Sequence, residues 1–153
     1  MNILIRSARL LEYEKVEALM EQVQQMHIDW RPDIYRHTDA VLPRDAFEQM
    51  IKENTIYVGE YEGEPVGVLS VMYRHVESPT QVTRNVIFID AMVVDEAYRG
   101  KGIGHAFFDF LKQRKKEMGY DGIELQVNAR NRAAYQMYAD YGFTEKSINM
   151  ELL

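Results

Sequence analysis

Arg99, Gly100, Lys101, Gly102 and Gly104 bring two cations and three glycines into six residues, the composition of a turn that holds phosphate oxygens. Glycine lets the backbone approach a ligand closely, and the free N–H groups and positive dipole end of a following helix favour an anion. Spacing separates the phosphate loops. A nucleotide-triphosphate loop needs Gly-Lys followed by Ser or Thr, whereas Gly100-Lys101 is followed by Gly102. A dinucleotide loop needs a third glycine where this chain has Phe107. Glu124 lies about twenty residues on, as a ribose-binding acid should, but the turn stands mid-chain rather than opening a βαβ series.

A strand and a helix must position this turn. Val86 to Val94 is rich in β-branched residues and bounded by Asn85 and Asp95, which predicts a buried strand. Ile103, Ala106, Phe107, Phe110, Leu111 and Met118 recur at helical spacing, with Gly119 at the expected left-handed stop. Further on, Gly122 to Val127 reads as a strand. Asn131, Ala134 and Tyr138 are then spaced by three and four, along one face of a helix that Asn131 caps and Gly142 ends.

Together, Arg99-x-x-Gly102-x-Gly104 and Asn131-x-x-Ala134-x-x-x-Tyr138-x-x-x-Gly142-Phe143 resemble the GNAT N-acetyltransferases. The first segment is similar to that family's acyl-CoA pyrophosphate loop, and the second follows its N-x-x-A-x-x-x-Y-x-x-x-G-F pattern. The resemblance implies acetyl-CoA as acyl donor, with Arg99, Gly100, Lys101, Gly102, Ile103 and Gly104 around the pyrophosphate. It implies Asn131 at the pantetheine, with Ala134 on the same helix face, and Tyr138 beside the sulfur. It also assigns an oxyanion donor to a backbone N–H around Met92, Val93 and Val94, where the family's fourth strand splays from the fifth.

The remaining elements fit the same plan. Leu4 and Ile5 predict a first strand; Val16, Leu19, Met20, Val23, Met26, His27 and Trp30 form a helical stripe that Pro32 ends. Arg44 to Ile51 predicts a second helix. Thr55 to Tyr61 and Val66 to Tyr73 alternate around Glu62-Gly63-Glu64-Pro65 as a hairpin, and Val86 to Val94 continues the meander. With a last strand near Lys146 to Leu152, the order is β-α-α-β-β-β-α-β-α-β, an α/β (α+β) fold with one mixed sheet. Residues 1–153 are expected to form a single N-acetyltransferase domain.

An alkyl ammonium with a pKa near 10 is neutral only about one part in a thousand at pH 7, so a site for amine attack must remove a proton. The departing thiolate needs a proton in return, and a phenol holds one at neutral pH. Tyr138 is the acid that the resemblance selects, because it lies four before Gly142; Tyr135, one turn earlier, is the competitor. Asp90 interrupts an apolar run and, by alternation, shares a face with Phe88, Met92 and Val94. It is either the base, its pKa raised by burial, or a buried partner of Arg74 or Arg84. Glu60 and a water chain are the alternatives. His27, Trp30, Asp33, Tyr35 and Arg36 cluster around the end of the first helix, on the side where the family takes its acceptor. Trp30 and Tyr35 either wall an acceptor pocket, with Asp33 at an ammonium, or are a core tryptophan and a solvated turn.

The expected function is acetyl transfer to a primary amine, on a small molecule or a peptide, by direct attack in a ternary complex. A catalytically silent acyl-CoA sensor or interaction module is the alternative, and Met92 and Met137 leave room for longer acyl groups. The 24 acidic against 18 basic residues disfavour nucleic acid and suit a cationic acceptor. The absence of Cys excludes disulfides, thiolate metal sites and a cysteinyl acyl-enzyme. His27, His37, His75 and His105 show no paired spacing, so no metal is expected. No apolar run has signal-peptide or bilayer length, which predicts a cytoplasmic protein away from membranes, with a homodimer open through the C-terminal sheet edge.

Overall fold

The computed structural model describes residues 2–153. Strand β1 (Ile3–Ser7) is followed by helices α1 (Tyr13–Trp30) and α2 (Arg44–Glu53). Strands β2 (Ile56–Tyr61), β3 (Glu64–Ser78) and β4 (Gln81–Val94) then form a meander, and α3 (Ile103–Met118), β5 (Gly122–Leu125) and α4 (Arg132–Tyr141) complete the regular structure. The sheet runs β1-β2-β3-β4-β5 in spatial order. Its first four strands are antiparallel, and β5 joins β4 in parallel through the α3 crossover.

Each face of the sheet buries its own apolar set. Tyr57, Leu69, Val71, Ile87 and Ile89 pack against Ile103, Phe107, Phe108 and Leu111 of α3. Val58, Val68 and Val93 pack on the other face against Val16 and Leu19 of α1 and Phe47 of α2. The α3 helix lies very close to the strands: a Cβ at Gly67 would come within 3.0 Å of the Phe107 ring. The sequence places glycine there because a side chain would push α3 off the sheet.

Local signals terminate the elements, Gly119 and Pro32 where expected and Asn54 in addition, since α2 runs to Glu53 rather than ending at Ile51. Asn54 and Gly119 take the left-handed conformation after α2 and α3, and Glu62-Gly63, both at positive φ, form the two-residue turn of the β2–β3 hairpin. The α1 helix stops at Trp30, just ahead of Pro32.

Three expectations change. The β3–β4 hairpin extends to Ser78 and Gln81, well beyond the 66–73 and 86–94 runs. Its outer arm has only Val76 and Val82 as apolar residues, too few to mark an apolar alternation. Strand β5 stops at Leu125 rather than at Val127. The last strand expected at Lys146 to Leu152 does not form: that segment has no ladder with β5. Side chains tether it instead, Lys146 to Glu124 at 2.9 Å and Glu151 to Arg31. Ile148, Met150 and Leu152, the apolar half of its alternation, are 74%, 88% and 99% exposed because no surface of the sheet lies under them.

Candidate functional site

The loop between β4 and α3 is shaped by two left-handed glycines. Gly100 and Gly102 have φ of 76° and 88°, and a Cβ at either would meet nothing within 4 Å. That combination leaves an open backbone cradle at the start of a 16-residue helix. The Ala106 N–H bonds to the Gly102 carbonyl at 3.0 Å, so the N–H groups of Ile103, Gly104 and His105 precede the helix's own hydrogen bonding. The Ile103 side chain is buried in the core, and only its backbone can serve a ligand.

Arg99 donates from Nε to the Val94 carbonyl at 3.3 Å, which ties its base to the end of β4. Among the described residues neither Arg99 nor Lys101 pairs with a carboxylate. The loop therefore presents two unmatched cations beside free N–H groups, the donor set that a pyrophosphate needs. Gly104 is helical, and its Cα faces Met137: a Cβ there would lie 3.2 Å from the Met137 sulfur and 3.7 Å from the Met92 methyl.

Beyond the loop, β4 and β5 part. Their pairing ends at Ile89↔Leu125, so the edge of β4 from Asp90 to Val94 has no strand partner on that side. The separation coincides with a β-bulge. Val71 faces Ile89 and Ser70 faces Ala91, leaving Asp90 as the extra residue. The bulge reverses the alternation. Ile87, Ile89, Met92 and Val94 all pack on the α3 side, and Val93 packs on the α1 side. Asp90 and Ala91 consequently share the α1 side with Ser70, and Asp90 does not share a face with Met92 and Val94.

Asp90 is exposed rather than buried. It partners neither arginine proposed for it: Arg74 lies over the Phe88 ring at 3.7 Å, and Arg84 pairs with Glu124 at 3.3 Å. Ser70, beside the bulge, has the buried side-chain oxygen that lacks a hydrogen-bond partner among the described residues. An unsatisfied hydroxyl costs about 1–3 kcal/mol, which makes Ser70 a position that sequence reading missed. Its signal was faint: one polar letter inside the apolar run from Val66 to Val71.

Asn131 caps α4, accepting from the Ala134 N–H at 3.2 Å through its side-chain oxygen. Its amide NH2 has no protein partner among the described residues. Tyr138 packs edge-on to Phe108 and Phe143, with centroids 5.8 and 5.9 Å away. Burial raises its phenol above the ordinary value. Tyr135 is engaged elsewhere, donating to Glu145 at 3.0 Å. Glu60 is held by Arg6 at 3.1 Å, and Glu124 by Lys146 and Arg84, which leaves neither free as a base or a ribose ligand.

At the end of α1 the rings of His27 and Tyr35 lie 4.8 Å apart, and those of His27 and Trp30 lie 5.9 Å apart. Burial pushes the His27 imidazole below its ordinary value. Arg130, another residue the sequence did not flag, donates to the Trp30 carbonyl at 2.6 Å and joins the β5–α4 loop to this cluster. Asp33 is bound through both oxygens to Arg31, at 2.9 and 2.7 Å, so its carboxylate is not free for an ammonium. Among the described residues no three His, Asp or Glu converge as a metal site, and no helix is long and apolar enough to cross a membrane.

A five-stranded sheet that opens beside a glycine cradle, with α4 capped across from it, defines an acetyltransferase-type architecture. The family model described as Acetyltransferase (GNAT) family matches residues 20–143, and the chain belongs to that family. An uncharacterized N-acetyltransferase of Methanocaldococcus jannaschii is 30% identical over 118 residues, 76% of this chain and 51% of that protein. This chain thus spans about half the length of that relative. The crystal structure of the BH1408 protein tetramutant from Bacillus halodurans has a TM-score of 0.88 at 28% identity, over 98% of this chain and 99% of that one. An aminoglycoside N-acetyltransferase in complex with CoA has a TM-score of 0.68 over 99% of this chain and 94% of that one; at 14% identity the likeness is one of fold.

Proposed function

We propose that this protein transfers an acetyl group from acetyl-CoA to a primary amine. The observation that supports this best is the coincidence of three features: the strand gap beginning at Asp90, the cradle at Gly100 to Gly104, and Tyr138 on the facing helix. Arg99, Lys101 and the first N–H groups of α3 hold the pyrophosphate, and the Asn131 amide meets the pantetheine, with Ala134 beside it. The thioester then lies in the gap, near Met92 and Tyr138.

In the reaction the neutral amine nitrogen bonds to the thioester carbonyl carbon. A backbone N–H on the open edge at Met92 to Val94 receives the oxyanion. As the C–S bond breaks, the CoA sulfur takes the Tyr138 proton, and the ammonium proton leaves toward the α1 side. Asp90 accepts that proton directly or through water, for which the unpartnered Ser70 hydroxyl offers a binding group. The phenolate regains its proton from solvent. His27, Trp30 and Tyr35 border the acceptor side. A cytoplasmic location accords with an acetyl-CoA donor. The exposed Ile148, Met150 and Leu152 and the unpaired outer edge of β5 support a homodimer, which the molar mass in solution reads directly.

A thiol-release assay with a panel of amines tests the activity, since a chain without Cys contributes no background. Amine-dependent CoA release with matching N-acetyl product is expected. Acetyl-CoA binding with no turnover across small amines, aminoglycosides and peptide N-termini would favour the silent sensor.

A further inference from the structure

We propose that the acceptor is an amine that also bears a carboxylate, with Asp90 taking its ammonium and Arg74 its carboxylate. The inference deepens the acetyltransferase reading and rests on it. Arg74 and Phe88 lie on the α1 side of the sheet, because Met72 pairs with Phe88 and shares its face with Arg74. The Arg74 guanidinium is stacked at 3.7 Å from the Phe88 ring centroid, and among the described residues its one side-chain hydrogen bond is to the Met72 sulfur at 3.9 Å. A stacked guanidinium is pre-oriented, and its in-plane N–H fork remains available for a carboxylate.

The neighbouring charges are already matched. Glu124, opposite Phe88 on β5, is held by Arg84 and Lys146, and His75 is paired with Glu77. Arg74, over the Phe88 ring, and Asp90, further along the same strand face, are thus two exposed, opposite charges with no salt-bridge partner among the described residues. Asp90 stands two residues beyond Phe88, about 6–7 Å along the strand. It sits where the strands open toward the thioester, so the amine belongs at Asp90 and the carboxylate at Arg74. An extended ω-amino acid such as 5-aminopentanoate is of comparable length and would lie over the exposed Met72, because Phe88 is buried beneath the Arg74 guanidinium.

The test compares kcat/KM for 5-aminopentanoate, its carboxamide and glycine, in the wild type and in Arg74→Gln, with acetyl-CoA binding measured on the same samples. The wild type is expected to prefer the carboxylate over the carboxamide by at least about tenfold, the factor of one good charged hydrogen bond. Glycine, too short to span both groups, should be poor. Arg74→Gln should bring the carboxylate-to-carboxamide ratio close to one, and Arg74→Lys should restore part of it. Equal kcat/KM for the two acceptors, a ratio unchanged in Arg74→Gln, or no acetylation of 5-aminopentanoate by protein that binds acetyl-CoA would overturn the assignment and leave the cofactor reading standing. Failure to bind acetyl-CoA would remove both.

Discussion

Burial among Phe108 and Phe143 holds the Tyr138 phenol above its ordinary value of 10.0, so it keeps its proton through neutral and mildly alkaline solution. A proton donor to a departing thiolate needs that state. Tyr138→Phe is predicted to lower kcat by about 10²-fold with little change in acetyl-CoA affinity. Unchanged turnover over pH 6 to 9 would show that the sulfur is protonated by another group. Tyr135 is the built-in comparison, since its hydroxyl is bonded to Glu145. The family pattern separates the two tyrosines in the sequence, and the contacts separate them in space. Asp90 was legible as an anomaly but not as a placement. Alternation put it beside Met92, and the bulge puts it on the opposite face, exposed. A bulge adds one residue without a compositional mark, so period-two reasoning passes through it unaware.

At the scale of elements, the β4–loop–α3 unit was readable because every signal in it is local: β-branched residues, glycines at turn positions, and a helical stripe closed by Gly119. Gly102 stands at φ 88° with open space around it, so Gly102→Ala meets backbone strain and no clash. The substitution is predicted to lower stability by about 1–2 kcal/mol and to weaken acetyl-CoA binding, measured by thermal unfolding and calorimetry. A stability loss with unaltered affinity would mean that this loop is an ordinary turn. Elements that depend on distant partners were less legible. The outer β3–β4 arm lacks an apolar face, and the tail from Lys146 has one without a surface to bury it on. Its alternation predicted a strand, whereas ladder formation also needs a complementary edge, and Glu151 is drawn instead to Arg31 at the end of α1.

Across the molecule, Arg6 on β1 holds Glu12 at 2.6 Å and Glu60 at 3.1 Å, fastening the α1 entry to the sheet. The hydrogen bond from Arg6 keeps the Glu12 carboxyl below its ordinary 4.5, against the opposing effect of burial. A depressed folded value stabilises the protein above pH 4.5, and the contribution is lost as pH falls through the depressed value. Glu12→Gln is therefore predicted to lower Tm at pH 7 by about 2–4 °C, for roughly 1 kcal/mol at this partly screened site. The difference should shrink below pH 4.5; a difference constant with pH would assign the loss to packing. The fold and the glycine turn before α3 were readable from one chain because both follow local patterns, whereas the face around Asp90 depends on how a bulge, an arginine and an aromatic ring meet. If the gap between β4 and β5 admits acetyl-CoA, calorimetric titration with acetyl-CoA, and with NAD as comparator, shows saturable binding of acetyl-CoA alone. No binding of acetyl-CoA would return Arg99 to Gly104 to an ordinary turn and leave the strand gap without a cofactor.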